Sequence, residues 1–193
     1  MHQSAFTFLK HAIGRKSFER VLDIGSLDVN STVQGLHPRE LLGTAKYYGI
    51  DTRKGPGVDS AVSAADYDGK EKYDLVISTE TAEHTRDPRE IIDCAWRALQ
   101  PGGLLILTAA GPGRAPHGVD GGEVGDEWYQ NIGPQELQGW LEAGGWQQVH
   151  VEHDTNAGDV YATARKPKGE SKAETKAEPK AEDAKAEDAP AKA

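Results

Sequence analysis

Short apolar runs alternate with amphipathic stretches along residues 20–110 of this chain. Apolar runs of about five residues, separated by segments with helical spacing, indicate strands joined by helices, because parallel strands need a long crossover connection. The sequence therefore predicts a mostly parallel sheet that is covered by helices on both faces. The predicted strands span residues 20–24, 46–50, 58–62, 73–78 and 104–108.

Two helices in the first half of the pattern are marked by apolar spacing. An opening helix is predicted to share one buried face among Phe6, Leu9 and Ile13. A second helix is predicted to start at residues 87–90, where Asp, Pro, Arg and Glu supply an N-cap, a proline in the first turn and a capping-box acid. Pro101, Gly102 and Gly103 are predicted to end this helix. Its predicted buried stripe comprises Ile91, Ile92, Ala95, Trp96 and Leu99.

The last part of the core reads as a helix followed by a hairpin. Gly133-Pro134 starts the helix, Gly144-Gly145 ends it, and its predicted buried face carries Leu137, Trp140 and Leu141. Alternating segments at residues 146–152 and 160–164 then predict a closing antiparallel pair. Together these elements predict an α/β fold: a doubly wound, Rossmann-like, mostly parallel sheet of about seven strands with an antiparallel closing hairpin.

Composition divides the chain into one domain, residues 1–165, and a tail, residues 166–193. The tail repeats Lys, Ala and Glu and has no apolar residue larger than alanine, so it is predicted to be disordered. Its seven lysines balance its seven acids, and the formal net charge of -9 therefore belongs to the domain. An acidic domain argues against a nucleic-acid substrate, which would need clustered lysine and arginine.

Other global features favour a cytoplasmic protein. No run approaches the roughly 18 to 20 apolar residues of a membrane span, and the first ten residues lack the pattern of a secretory signal. The single cysteine, Cys94, falls in a helical apolar pattern and is predicted to be buried rather than reactive.

The turn after the first predicted strand is the first candidate ligand site. Ligands of open α/β sheets bind beyond the carboxyl ends of the strands, and here the chain reads Asp23-Ile24-Gly25-Ser26-Leu27-Asp28. This is not the G-x-G-x-x-G fingerprint, so a dinucleotide would meet an acid where its pyrophosphate needs glycine and a helix N-terminus. S-adenosylmethionine (SAM) has no phosphate and carries two positive groups, so nearby carboxylates favour it.

The second candidate is the acid at the tip of the next strand. Asp51 can accept hydrogen bonds from both hydroxyls of a ribose, and it follows the strand that should lie beside the Gly25 turn. The alternative is that Asp51 only caps a turn.

Four strings in order resemble the motifs of class I SAM-dependent methyltransferases, in particular the type 11-like domain. They are VLDIGSLDVN (residues 21–30), YYGIDTRKGPGVD (47–59), YDLVISTETAEH (73–84) and LQPGGLLILTAAG (99–111). The second glycine that is usual in the first motif is absent, its place falling near Leu27 or Asp28.

The resemblance assigns SAM as the cofactor and implies its contacts. Asp23, Gly25 and Ser26 would face the methionine part, Asp51 and Thr52 the ribose, and Thr79 and Glu80 would lie beside the cofactor after the fourth strand. The usual acid at the adenine is replaced by Ser63, which makes Ser63, Ala64 and Ala65 the adenine candidates.

Candidate catalytic residues lie after the fourth strand and in the irregular segment 111–132. His84 follows the fourth strand at the mouth of the site, where it acts as a base or holds the loop. The segment 111–132 has the character of a specificity lid, with His117 as a second base candidate and Trp128 and Tyr129 as walls of an acceptor pocket. His117, Asp120 and Glu127 match no known metal-ligand spacing, so no metal is predicted.

The sequence thus predicts SAM-dependent methyl transfer to a small molecule, a saccharide or a protein side chain. The segment Ser78-Thr79-Glu80-Thr81 does not resemble the Asn-Pro-Pro-aromatic clamp of DNA amino-methyltransferases. Two alternatives stay open: a SAM- or nucleotide-binding module without catalysis, and an NAD-dependent oxidoreductase that the fold favours and the missing glycines oppose.

Overall fold

The computed structural model describes residues 3–29 and 37–169. Within them, seven strands form one sheet in the order β3-β2-β1-β4-β5-β7-β6. The strands are β1 (Arg20–Ile24), β2 (Lys46–Asp51), β3 (Ser60–Ala61), β4 (Tyr73–Thr79), β5 (Leu99–Ala110), β6 (Gln147–Asp154) and β7 (Asp159–Arg165). The helices are α1 (Gln3–Ile13), α2 (Arg89–Ala98) and α3 (Pro134–Ala143), with short 3-10 turns at Pro38–Leu41 and Ala82–His84.

The predicted doubly wound sheet with a closing hairpin is confirmed. Strands β1 to β5 pair in parallel, while β7 runs antiparallel to both β5 and β6. The chain leaves β1 towards β2 and β3 and later returns on the other side of β1 to form β4 and β5. The strand order therefore reverses between β1 and β4, and a ligand crevice is expected beyond the carboxyl ends of these two strands.

Both faces of the central strands are buried, which explains their continuous apolar character. Neighbouring residues of β1 separate to opposite faces, since Leu22 belongs to one apolar cluster and Val21 to the other. The Leu22 cluster includes the buried sides of α2 and α3. The Val21 cluster includes Leu9 and Ile13 of α1. The sheet is thus sandwiched between helices, as its sequence pattern requires.

The opening helix buries a slightly different face from the one that was predicted. Leu9 and Ile13 are buried as expected, but Ala5 takes the third buried position while Phe6 is only partly buried. Phe8, also partly buried, stacks on Tyr161 of β7 with ring centroids 4.7 Å apart. The helix is therefore rotated towards the closing hairpin, a contact that spacing within the helix does not encode.

The second helix ends earlier than its glycines predict. Its last residue is Ala98, and Leu99 already pairs with Tyr73 as part of β5. The carbonyls of Arg97 and Ala98 accept hydrogen bonds from the backbone N–H groups of Glu71 and Lys72, 2.9 Å each. These bonds satisfy the end of the helix through the segment before β4, so residues 101–103 lie within β5 rather than at a helix stop.

The start of α2 lies one residue after its predicted position, since Arg89 rather than Pro88 is the first helical residue. The Asp87 carboxylate accepts the backbone N–H of Arg89 at 3.2 Å, and Pro88 occupies the cap position. Cys94 is buried in this helix as a free thiol, as predicted.

Lys166, the first residue of the predicted tail, is hydrogen-bonded to the domain. Its backbone N–H donates to the Gly103 carbonyl at 3.0 Å, and its ammonium to the Leu99 carbonyl at 2.8 Å. The tail from residue 170 onwards lies outside the described residues, and its predicted disorder stays a prediction. Across residues 3–29 and 37–169, no helix is long and apolar enough to cross a membrane. The cytoplasmic location also stays a prediction.

Candidate functional site

A cavity of about 580 Å³ opens at the carboxyl ends of β1, β2 and β4, where the strand order reverses. Most residues predicted for the site line this cavity. These are Asp23, Gly25, Ser26, Asp51, Thr52, Ser63, Ala64, Thr79, Glu80, His84 and His117. The structure therefore gathers residues from five separate segments at the position where doubly wound sheets bind their ligands.

The glycine turn after β1 is set by close packing. Gly25 has φ +81°, and a Cβ built on it would lie 2.1 Å from the hydroxyl oxygen of Thr81. The N–H groups of Gly25 and Ser26 both donate to the Ile50 carbonyl, at 2.8 and 3.0 Å. These two donors are thus used within the protein, and the turn is tied to β2 instead of presenting them to a ligand.

Asp23 lies beneath this turn and is almost fully buried. One carboxylate oxygen accepts a hydrogen bond from the Tyr47 hydroxyl, while the other is buried with no hydrogen-bond partner in the described part of the chain. Burial raises the pKa of Asp23 to about 7, against the lowering effect of the Tyr47 hydrogen bond. Near neutral pH this carboxyl is therefore poised between its two protonation states.

Asp51, at the end of β2, links the turns on its two sides. Its carboxylate accepts the backbone N–H of Leu27 at 3.4 Å and that of Arg53 at 2.8 Å. Thr52 lines the cavity beside it. Asp51 therefore caps two turns and faces the cavity at the same time.

The segment after β3 forms another part of the wall and is braced from behind. Ser63 and Ala64 line the cavity, whereas Ala65 does not. The Ser63 hydroxyl donates to the Asp66 carboxylate at 2.7 Å, and the Arg97 guanidinium donates to the Ala64 carbonyl at 3.0 Å. These bonds fix the path of the segment along the cavity.

Glu80 follows β4 in a strained backbone conformation, with φ +53°. Its carboxylate accepts the Thr108 hydroxyl at 2.9 Å and lies 4.0 Å from the Arg114 guanidinium. Arg114 also pairs with the fully buried Asp159. Burial, followed by the nearby charge of Asp159, raises the pKa of Glu80 to about 7.

The two predicted catalytic histidines come together in the wall of the cavity. The rings of His84 and His117 meet edge to face with centroids 5.2 Å apart, and Tyr129 packs against both at 5.6 and 5.0 Å. Burial and the neighbouring His117 lower the pKa of His84 below its usual range, so its imidazole is neutral near pH 7. The site thus holds a neutral imidazole that can accept a proton or bind a metal ion.

Trp128 and Tyr129, which the sequence predicts as walls of an acceptor pocket, do not line the cavity. Trp128 is 40% exposed and lies under the Arg86 guanidinium, 4.8 Å from its ring centroid. Tyr129 is turned against the two histidines instead. The loop therefore contributes His117 and the backbone around it to the cavity, while its aromatic residues pack on the surface and on the imidazoles.

Sequence reasoning singled out Glu83 only as the neighbour of His84, in the pair Glu83-His84 after the fourth strand, and missed Arg114. Glu83 is completely buried, because the 3-10 turn Ala82–His84 folds it inward beneath the loop, and its own carbonyl accepts the N–H of Gln130 at 2.9 Å. Arg114 lies in a glycine-rich segment without periodicity, so its pairing with Glu80 and Asp159 could not be read from spacing. The position of Glu83 next to His84 was the one available signal.

A family model described as a methyltransferase domain matches residues 2–151 of the chain. The chain therefore belongs to this methyltransferase family, and the predicted family resemblance is confirmed. Among curated proteins, the ubiquinone biosynthesis O-methyltransferase of Cereibacter sphaeroides is 31% identical over 70 residues. That match covers 36% of this chain and only 28% of the relative.

Solved structures share the fold at low sequence identity. The 1,6-didemethyltoxoflavin-N1-methyltransferase of Burkholderia thailandensis, solved with 1,6-didemethyltoxoflavin and S-adenosylhomocysteine bound, has a TM-score of 0.59 and 18% identity. The similarity covers 86% of this chain and 77% of that one. The cyclase SpnF has a TM-score of 0.61 and 16% identity, over 86% of this chain and 81% of its own.

Proposed function

We propose that this chain transfers the methyl group of SAM to a hydroxyl oxygen of a small molecule. The observation that carries the proposal is one cavity of a methyltransferase domain whose lining combines the motif residues with His84 and His117. A cofactor seated on the motif residues would have its methyl group directed along the cavity towards the histidines. Proximity of this kind is the main requirement of an in-line displacement at an activated sulfonium.

The cofactor end suits a ligand with positive charge and a ribose. Asp51 would accept the ribose hydroxyls, in exchange for the long 3.4 Å hydrogen bond that it accepts from Leu27. The carboxyls of Asp23 and Glu80 line the cavity and would lie near the sulfonium and ammonium groups, whose positive charges would favour the ionised carboxylates. The braced segment of Ser63 and Ala64 would lie against the adenine.

The acceptor class is supported by chemistry and by one relative. A hydroxyl must lose its proton as it attacks the methyl carbon, and the neutral imidazole of His84 in the cavity wall is a group that could accept that proton. The curated relative is named as an O-methyltransferase. A cavity of about 580 Å³ has to hold both cofactor and acceptor, so a compact molecule fits better than a macromolecule. The acidic charge of the domain further disfavours nucleic acid.

A SAM-binding protein without methyl transfer is the second candidate. The observation that favours it is the fold similarity to a protein named as a cyclase, because one fold hosts several chemistries. The family match and the absence of the G-x-G-x-x-G fingerprint in the first turn leave no support for the NAD-dependent oxidoreductase.

Methyl-labelled SAM separates the two candidates. We expect the full chain to move label onto phenols and alcohols of a small-molecule panel, and to move none onto the same compounds with the hydroxyl replaced by hydrogen. Label on amines alone would overturn the acceptor class. Tight SAM binding with no transfer across hydroxyl, amine, thiol and carbon acceptors would favour the binding module.

A further inference from the structure

Three potential metal ligands converge at the acceptor end of the cavity. One carboxylate oxygen of Glu83 and one ring nitrogen from each of His84 and His117 all lie within 4.8 Å of one another. Donors around a single transition-metal ion lie roughly 3.4 Å apart, since each is about 2.1 Å from the metal. Shifts of about 1 Å in side chains would therefore complete the ligand set.

The burial of Glu83 gives an independent indication of a bound cation. The side chain is completely buried, and neither carboxylate oxygen accepts a well-aligned hydrogen bond within residues 3–29 and 37–169, since the backbone groups of Glu83 and Ala110 approach it only with poor geometry. The Nδ1 atom of His84 is likewise buried without a partner there. Buried polar groups without partners are costly, and a carboxylate beside two imidazoles is satisfied by a divalent cation.

The surroundings orient the imidazoles as metal ligands are usually oriented. The Nδ1 atom of His117 lies 3.0 Å from the Ala115 carbonyl, so a proton on Nδ1 donates to that oxygen and leaves Nε2 as the free donor atom. The Tyr129 ring packs against both imidazoles and limits their rotation. This is how outer contacts hold a metal-binding histidine in one tautomer and one orientation.

We propose that Glu83, His84 and His117 bind one divalent transition-metal ion at the acceptor end of the cavity. Two nitrogens and one oxygen suit zinc, cobalt, manganese or iron better than magnesium, which prefers oxygen ligands. Three protein ligands leave at least one coordination position open. His84 and His117 line the cavity, so the open position would face the space where the acceptor binds.

The role of this ion rests on the proposed function, whereas its binding rests on the geometry alone. With His84 and His117 bound to the ion, these imidazoles would no longer take the proton themselves; a hydroxyl at the open position would lose its proton to water instead, because the cation would stabilise the resulting oxygen anion. That oxygen then forms a bond to the methyl carbon of SAM. The carbon–sulfur bond breaks, and its electron pair stays on sulfur to give S-adenosylhomocysteine. The products are one methyl ether, one S-adenosylhomocysteine and one proton.

Metal titration of the full chain, without a histidine tag and after removal of metal by chelation, tests the site. We expect calorimetry to detect one Zn²⁺ per chain, with Mg²⁺ bound far more weakly, and Co²⁺ to give the visible absorption of a site with nitrogen ligands. Glu83→Gln, His84→Ala and His117→Ala should weaken Zn²⁺ binding by more than the roughly 10- to 100-fold that loss of an outer partner costs. The exposed residues His150 and Glu142 supply the matched controls His150→Ala and Glu142→Gln, which should bind as the wild type does.

Equal Zn²⁺ affinity in wild type and all three ligand variants, or no Zn²⁺ binding by the wild type, would overturn the proposal. If the buried Glu83 variant fails to fold, His117→Ala becomes the decisive variant. His117 lies in a loop and is only partly buried, so its replacement should leave the fold intact. SAM affinity measured on the same metal-free samples keeps the two proposals apart. If the chain binds SAM but not Zn²⁺, only the metal-site proposal is overturned. If it binds Zn²⁺ but not SAM, the proposed function is overturned and the metal site remains.

Discussion

The imidazole rings of His84 and His117 meet edge to face, with centroids 5.2 Å apart, in the wall of the cavity. His84 belongs to the turn after β4, and His117 to the long loop after β5. Because β4 and β5 are neighbours in the sheet and run in parallel, the segments that follow them emerge at the same edge. The sheet order therefore brings together two groups that are well separated in sequence.

Replacement of Asp51 by alanine tests the predicted ribose contact. We expect Asp51→Ala to weaken SAM binding by about 1 to 3 kcal/mol, because ribose hydroxyls would be left without an acceptor in a partly dry site. Calorimetry checks this against Asp93→Ala, which changes an exposed acid on α2. Unchanged SAM affinity in Asp51→Ala would mean that the carboxylate only caps the turns of Leu27 and Arg53.

Replacement of Gly25 by alanine tests the close packing of the first turn. The new Cβ would lie 2.1 Å from the Thr81 hydroxyl oxygen. The alanine would also have to keep φ +81°, a left-handed backbone conformation that favours glycine. We expect a loss of about 1 to 3 kcal/mol in the free energy of unfolding, together with weaker SAM binding. Gly139→Ala is the matched control, because a Cβ there meets nothing within 4 Å in the exposed face of α3. That control should gain about 0.5 to 1 kcal/mol. Equal denaturant midpoints for the two variants would contradict the packing argument.

The raised pKa of Asp23 gives a pH dependence with a definite sign. Burial raises this pKa from 3.8 to about 7, so between these values the folded chain retains a proton that the unfolded chain has released. The contribution of Asp23 to the free energy of unfolding therefore falls as the pH rises from about 4 to about 7, and is level above that. Urea unfolding of wild type and Asp23→Asn at several pH values isolates this contribution. Parallel curves for the two proteins over that range would be the contrary result.

Two arginine variants contrast a buried and an exposed ion pair. Arg114→Met leaves Asp159 buried without its guanidinium partner, although Ser4 and Tyr161 still donate to it. We expect a loss of about 3 to 5 kcal/mol in the free energy of unfolding. Arg89→Ala breaks the exposed pair with Asp87 and should leave the denaturant midpoint close to that of the wild type, because water screens this pair. Similar small losses in both would show that Arg114 is dispensable to the fold.

Much of the fold could be predicted from the sequence because its strands are buried on both faces. In residues 20–24 the apolar side chains Val21 and Leu22 lie on opposite faces of the sheet, and the bounds predicted from this pattern match those of β1. The predicted end of α2 was wrong because the last carbonyls of the helix accept hydrogen bonds from the backbone N–H groups of Glu71 and Lys72. These partners are distant in sequence, so local spacing does not reveal them. Phe6 was misplaced for the same kind of reason, since the docking of α1 on β7 sets its rotation.

The site was predictable where strands end, and much less so in the loops. Gly25 and Asp51 follow directly from the carboxyl ends of β1 and β2, and both line the cavity. Segment 111–132 has no periodicity that would set its path, so nothing in the sequence could say that Tyr129 packs on the histidines or that Trp128 faces solvent. Burial of Glu83 arises in the same way, from the packing of this loop over the turn after β4.

Calorimetric titration of the full chain with SAM, S-adenosylhomocysteine and NAD tests the central claim most directly. The account predicts that one molecule of each adenosyl ligand binds per chain and that NAD gives no heat of binding. Because Asp23 is driven towards its ionised form by a cationic ligand, SAM binding should also release protons near pH 7, seen as a dependence of the heat on the buffer. Saturable binding of NAD with no response to either adenosyl ligand would contradict the account.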